Sequence, residues 1–250
     1  MHKVKKQKAS VATQKKVTKR TKMVGFPPLE EGKKVVLNII NANMPLPRSF
    51  DPKIWQEVRT AKDRDDVHLS MGISDLAALP DACVDAIYNA GSLGYLYAHE
   101  VIPSLKECYR ILRKGGTFMF SVSDLQKIGQ ALAQGRPERE LYRAPAGSIT
   151  ALDLLYGHRT SIMNGRFDLQ IKTGFSASSI AQKLTPLGFG EVEVRRDNTQ
   201  LHVVARKIDA NPKDKPLIRI HEEDMNEMMR KRDDIIRNPE WMKITPEDGL

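Results

Sequence analysis

The sequence predicts an α/β fold in which a doubly wound, mostly parallel sheet is closed by a C-terminal antiparallel hairpin. Three stretches predict it. Residues 34–40, KVVLNII, form the nearly continuous apolar run of a parallel strand buried on both faces. Residues 84–124 read strand, loop, helix, Gly-Gly turn, strand, and two strands joined through a helix lie parallel with a right-handed crossover. Residues 191–195 and 201–205 alternate apolar and polar around Asp197-Asn198-Thr199, the pattern of a hairpin.

In chain order, Ile54, Trp55 and Val58 suggest a short helix or a second strand, 67–70 another strand, and 75–80 a turn. In the central stretch Val101, Ile102, Leu105, Cys108, Ile111 and Leu112 recur at three- and four-residue steps, one face of a helix. Lys114 and Gly115-Gly116 are expected to stop that helix through a left-handed cap, and 117–122 to form the next strand. Residues 125–133 read as a helix, 134–146 with Gly135, Pro137 and Pro145 as a loop or lid, and 149–156 as a further helix. Asn164-Gly165 marks a turn. Ser176 is placed to cap a helix over 177–184 that Gly188 and Gly190 close. Residues 208–216 form a polar linker. A charged helix over 221–238 carries Met225, Met228, Met229, Ile235 and Ile236 along one side, a stripe suited to its own domain or to a protein partner.

The chain has 250 residues and a net charge of +9, and residues 1–24 hold nine Lys or Arg with no acid. The tail therefore accounts for the excess, and the body is near neutral. That excludes a basic nucleic-acid face on the domain and confines polyanion binding, to RNA or another phosphate-rich surface, to tail residues such as Lys5, Lys6, Lys15, Lys16, Lys19 and Arg20. The expected division is a basic disordered tail at 1–24, one domain at 25–207, and a linker with a charged helix at 208–250. A mean hydropathy of −0.43 and the lack of a long apolar run exclude a membrane span. Two cysteines, Cys83 and Cys108, fit reduced thiols of an intracellular, cytoplasmic protein, and no metal-ligand spacing occurs.

The segments Leu79-Pro80, Val84-Asp85-Ala86-Ile87-Tyr88 and Tyr109-Arg110-Ile111-Leu112-Arg113-Lys114-Gly115-Gly116 resemble the second half of class I S-adenosylmethionine-dependent methyltransferases. Within them the chain is similar to a group beginning "LNVGGG" that later shows "YxSPAGPI..LD.IYG" and "HKTGF". The matching segments here are 142–149, 152–158 and Lys172-Thr173-Gly174-Phe175. The resemblance covers about residues 35–207 and implies a Rossmann-like fold with S-adenosylmethionine as the cofactor, if any. On the cofactor side it points to Asn38, Asn41, Asn43, Gly72, Ile73, Asn89 and Gly91, and on the substrate side to Tyr97, His99, Tyr156 and His158.

The polar groups of such a site are missing at four places. The loop after the first strand reads Ile40-Asn41-Ala42-Asn43, without the glycines that let backbone approach a ligand closely. The acid expected to take the ribose hydroxyls falls near Thr60-Ala61-Lys62, with Asp63, Asp65 and Asp66 close by. The acid expected at the adenine falls on Gly72. Against the group's "YCSHNLEHYYPHDV", the Glu-His pair becomes Gly94-Tyr95 and the earlier His becomes Gly91. The expectation is a methyltransferase-like protein with a degenerate cofactor site, serving as a non-catalytic binding or scaffold subunit. The alternative is an active S-adenosylmethionine-dependent methyltransferase with an aberrant pocket.

Overall fold

The computed structural model describes residues 26–39, 46–62, 64–208 and 216–221. The basic tail, the loop bearing Asn41 and Asn43, and the charged helix beyond His221 lie outside the described residues.

The chain runs β1 (Lys34–Ile39), β2 (Trp55–Thr60), β3 (Val84–Ala90), α1 (Ala98–Ile111), β4 (Leu112–Ser123), α2 (Leu125–Ala133), β5 (Glu140–Ala144), β6 (Gly147–Thr150), α3 (Ala151–Tyr156), α4 (Arg159–Met163), α5 (Ala177–Leu184), β7 (Glu191–Asp197), β8 (Gln200–Arg206) and β9 (Leu217–His221). Seven strands form one sheet in the order β2-β1-β3-β4-β8-β7-β9, and β5 pairs with β6 apart from it. Within that sheet β8 alone runs against its neighbours, and β9 lies parallel to β7. This is the class I methyltransferase-like arrangement that the sequence predicts.

The core follows from the strand period. Val35, Leu37 and Ile39 of β1 point to one face and join Val101, Leu105, Cys108 and Ile111 of α1, together with Phe118 and Phe189, in the main cluster. The helix face is the one its spacing predicts. Val36 and Ala86 point to the other face, against Phe50, whose ring meets Trp55 edge-on at 5.0 Å. Asp85 ties three neighbouring strands of the sheet: from β3 its carboxylate accepts from the Val35 N–H of β1 at 2.8 Å and from Arg113 of β4 at 2.6 Å.

Several expectations are corrected. Gly115-Gly116 is not the helix cap: α1 ends at Ile111 and Leu112 is already extended. The pair instead sits in an irregularity of β4, between the partners Val84↔Leu112 and Ala86↔Thr117. Gly115 takes φ +75°, and a Cβ at Gly116 would lie 3.0 Å from the Asp85 carbonyl. The expected lid at 134–146 holds β5, which turns through Pro145-Ala146 to pair with β6 just beyond it. Thr150 caps α3, so the helix expected from 149 begins two residues later. The strand expected at 67–70 reduces to one bridge, Thr60↔Leu69, and the turn at 75–80 is part of a 3-10 segment, Ile73–Ala78. Trp55 and Val58 resolve to strand, while Ile54 lies in the turn before it. His221, expected to open a helix, ends β9. Ser176 caps α5 as expected, accepting from the Ser179 N–H at 3.2 Å.

Candidate functional site

A cleft of about 1730 Å³ opens at the carboxyl ends of β1, β2 and β3, where ligands of doubly wound sheets bind. It continues across the sheet face bearing Tyr88, Met119 and Val204 and is walled on the far side by α3 and the segment before α5. That far wall is tied down at Gly94, whose carbonyl accepts from the N–H groups of Lys172 (2.8 Å) and Thr173 (3.2 Å). The position where the resembled group keeps an acid is thus a backbone anchor for the Lys172-Thr173-Gly174-Phe175 segment.

On the cofactor side, Gly72, Ile73 and Gly91 line the cleft. Asn38 and Asn89 do not. Asn38 is buried and donates to Glu57 at 2.5 Å, linking β1 to β2. Asn89 donates to the Ile39 carbonyl and the Ser92 hydroxyl and accepts from the Ser92 N–H, so its amide holds the ends of β1 and β3 together. Both asparagines are committed to the scaffold. At the end of β2, Thr60 donates to the Met71 carbonyl at 2.6 Å, and the next cleft-lining residues are Ala61, Lys62 and Arg64. Lys62 pairs with Asp75 at 3.0 Å and the same carboxylate oxygen accepts from the Gly72 N–H. Asp66 is forked by Arg64 at 2.7 Å, which holds its carboxyl below the ordinary range. Among the described residues, Asp75 and Asp66 are thus each held by a neighbouring cation.

On the substrate side, Tyr97 and His158 line the cleft, while His99 and Tyr156 do not. Tyr97 sits before α1, its N–H donating to Glu100 at 2.7 Å. Its ring stacks on His99 at 5.8 Å and lies under the Lys172 ammonium at 4.8 Å. His158 contacts the Ser161 hydroxyl at 2.9 Å through Nδ1. Lining residues that escaped the sequence reading include Tyr95, whose phenol burial pushes up in pKa, Asp153 and Arg166. Burial also pushes Asp153 up, but hydrogen bonds from Thr150 and Arg159 outweigh it and leave the carboxyl well below its usual range. The Thr150-x-x-Asp153 spacing is a capping-box signal that could have found it.

Among the described residues no group of three His, Cys, Asp or Glu is arranged to hold a metal ion, and no helix is long and apolar enough to cross a membrane. Cys108 is buried and free, and burial raises its thiol pKa. Cys83 is half-buried and free.

A family model described as methyltransferase domain matches residues 49–120. That span contains the Leu79-Pro80 to Gly115-Gly116 segments that carry the sequence resemblance. No curated protein matches the chain. Similar solved structures include the Burkholderia thailandensis 1,6-didemethyltoxoflavin-N1-methyltransferase with bound 1,6-didemethyltoxoflavin and S-adenosylhomocysteine. It is 15% identical with a TM-score of 0.45, over 71% of this chain and 72% of that one. A Methanosarcina mazei S-adenosylmethionine-dependent methyltransferase is 12% identical, TM-score 0.43, over 72% and 94%. A Haloferax volcanii complex of the Trm112 methyltransferase activator with a methyltransferase is 17% identical, TM-score 0.42, over 75% and 86%.

Proposed function

We propose that this chain is a binding or scaffold subunit built on a methyltransferase-like domain whose S-adenosylmethionine site is degenerate. The end of β2 carries the reading. Where a ribose needs a carboxylate acceptor, Lys62 lines the cleft, and two acids of this neighbourhood, Asp75 and Asp66, are engaged by Lys62 and Arg64. The adenine-side position is Gly72, and the two asparagines at the strand ends are used internally. These residues do not fit the cofactor. The basic residues 1–24 are assigned to RNA or another polyanion, and the charged stretch after His221 to a protein partner. Free cysteines suit an intracellular location.

A second reading, a methyltransferase with an aberrant pocket, is favoured by the cleft itself, which persists at the ligand edge of the sheet with Tyr97 and His158 on its far side. Calorimetric titration of the full chain with S-adenosylmethionine and S-adenosylhomocysteine separates the two. The first reading expects no heat of binding at millimolar ligand. Saturable binding in the micromolar range would overturn it in favour of the second.

A further inference from the structure

The cleft is lined by cations at the place where the fold reads a ribose. In doubly wound sheets an acid roughly 20 residues past the first strand accepts from the ribose hydroxyls, and a cation in that neighbourhood takes a ribose phosphate instead. Here that neighbourhood supplies Lys62 and Arg64, both lining the cleft. The opposite wall supplies two more cations, Arg166 and Lys172. Four cations from two segments distant in sequence thus face one opening, and the charge of Arg166 is felt at Arg64.

The two arginines are set in the same way. Asp66 takes Nε and Nη2 of Arg64, both at 2.7 Å; Asp168 takes Nε and Nη2 of Arg166 at 3.0 and 2.9 Å. In each Arg-x-Asp fork the acid holds one edge of the guanidinium and fixes its plane. For Arg166 this leaves the Nη1 end for a ligand, in the planar geometry that suits phosphate. These ion pairs are partly or largely solvent-exposed, so turning a cation toward a dianion costs little. The remaining acids of the lining are occupied: Glu100 accepts from the Tyr97 N–H, and Asp153 is held by Thr150 and Arg159. Tyr97 offers an exposed ring at the same mouth, and Gly72 and Gly91 keep the sheet-edge wall low.

We infer that the cleft binds a nucleotide carrying a ribose phosphomonoester, with Lys62 and Arg64 on one wall and Arg166 and Lys172 on the other closing on the phosphate. The inference rests on the reading that the S-adenosylmethionine site is degenerate and names what the retained cleft accepts in its place.

The test is calorimetric titration of the full chain with adenosine 2′,5′-bisphosphate, adenosine, inorganic phosphate and S-adenosylmethionine in parallel. The expected result is micromolar binding of the bisphosphate. It should be at least about tenfold tighter than adenosine or phosphate, as one or two charge-assisted hydrogen bonds supply. Arg166→Gln and Arg64→Gln should each weaken it about tenfold or more, with circular dichroism unchanged. The site is exposed, so at least one of the two variants will report on a folded protein. Bisphosphate silent at millimolar concentration, adenosine or phosphate binding as tightly, or both folded variants binding as the native chain does, would each overturn the inference. Silence toward bisphosphate and S-adenosylmethionine together overturns it while the degenerate-site reading stands. Micromolar S-adenosylmethionine binding overturns that reading instead.

Discussion

Asp153 shows how one side chain joins packing, electrostatics and the cleft. Its carboxylate is 3% exposed and accepts from the Thr150 N–H at 2.9 Å, the Thr150 hydroxyl at 2.6 Å, and the Arg159 N–H and Nε, both at 3.1 Å. It therefore starts α3, joins α3 to α4 and sets the position from which His158 reaches the cleft. Asp153→Asn keeps the shape but loses the charge in these bonds, at an expected cost of about 2–3 kcal/mol in urea unfolding. The sign with pH follows from the depressed carboxyl. Its stabilisation is complete above the unfolded-state value near 3.8 and is lost as pH falls toward the lower folded value. The gap between native and Asp153→Asn melting temperatures should hold from neutral pH down to about 4 and close below it. A gap constant through acid pH would show that the charge is not what stabilises the fold.

At the scale of elements, what could be read from the sequence is what periodicity encodes. α1, α5, β1 and the β7–β8 hairpin each bury an apolar pattern against one neighbour, and their bounds lie within a few residues of those predicted. The Pro- and Gly-bearing stretch at 134–146 was legible only as irregular, because its strand β5 fully buries no residue and carries no clean alternation. β9 was missed for a related reason: all five of its residues are exposed at the sheet edge, so no buried face marks it. Gly157, between α3 and α4, shows what such junctions demand. Its φ is +105°, and an added Cβ would stand 2.5 Å from the Leu169 carbonyl. Gly157→Ala is expected to cost about 3 kcal/mol or more, because strain and a backbone clash add. Gly129, inside α2 with nothing within 4 Å of its Cβ position, gives the opposite sign. Gly129→Ala should stabilise by about 0.5–1 kcal/mol through helix propensity. Denaturant midpoints of the two variants check both, and a neutral Gly157→Ala would contradict the packing described at that junction.

For the whole molecule, the fold was legible and the site only half so, and the two limits have one cause. A sheet and its helices repeat their instructions at every second or fourth residue, whereas a binding edge depends on single residues. Lys62, Arg64 and Arg166 meet only because β2 and the segment before α5 end on the same cleft. The charge distribution is the property that composition alone could place. Nine cations and no acids in residues 1–24 balance the full net charge of +9, so the remainder of the chain sums to about zero. If the tail is the polyanion anchor, removing residues 1–24 should leave the melting temperature within about 1 °C, since a Lys-rich stretch without apolar periodicity brings no face to pack into a core. The same deletion should abolish binding to a single-stranded RNA probe. With all nine cations on phosphates, log affinity would fall against log salt with a slope of about −6, and with half of them about −3. A near-neutral domain contributes little to that slope, so the truncated chain should show almost none. Filter binding at two salt concentrations decides it: RNA affinity unchanged by the deletion would move the interaction off the tail and onto the domain, against its charge.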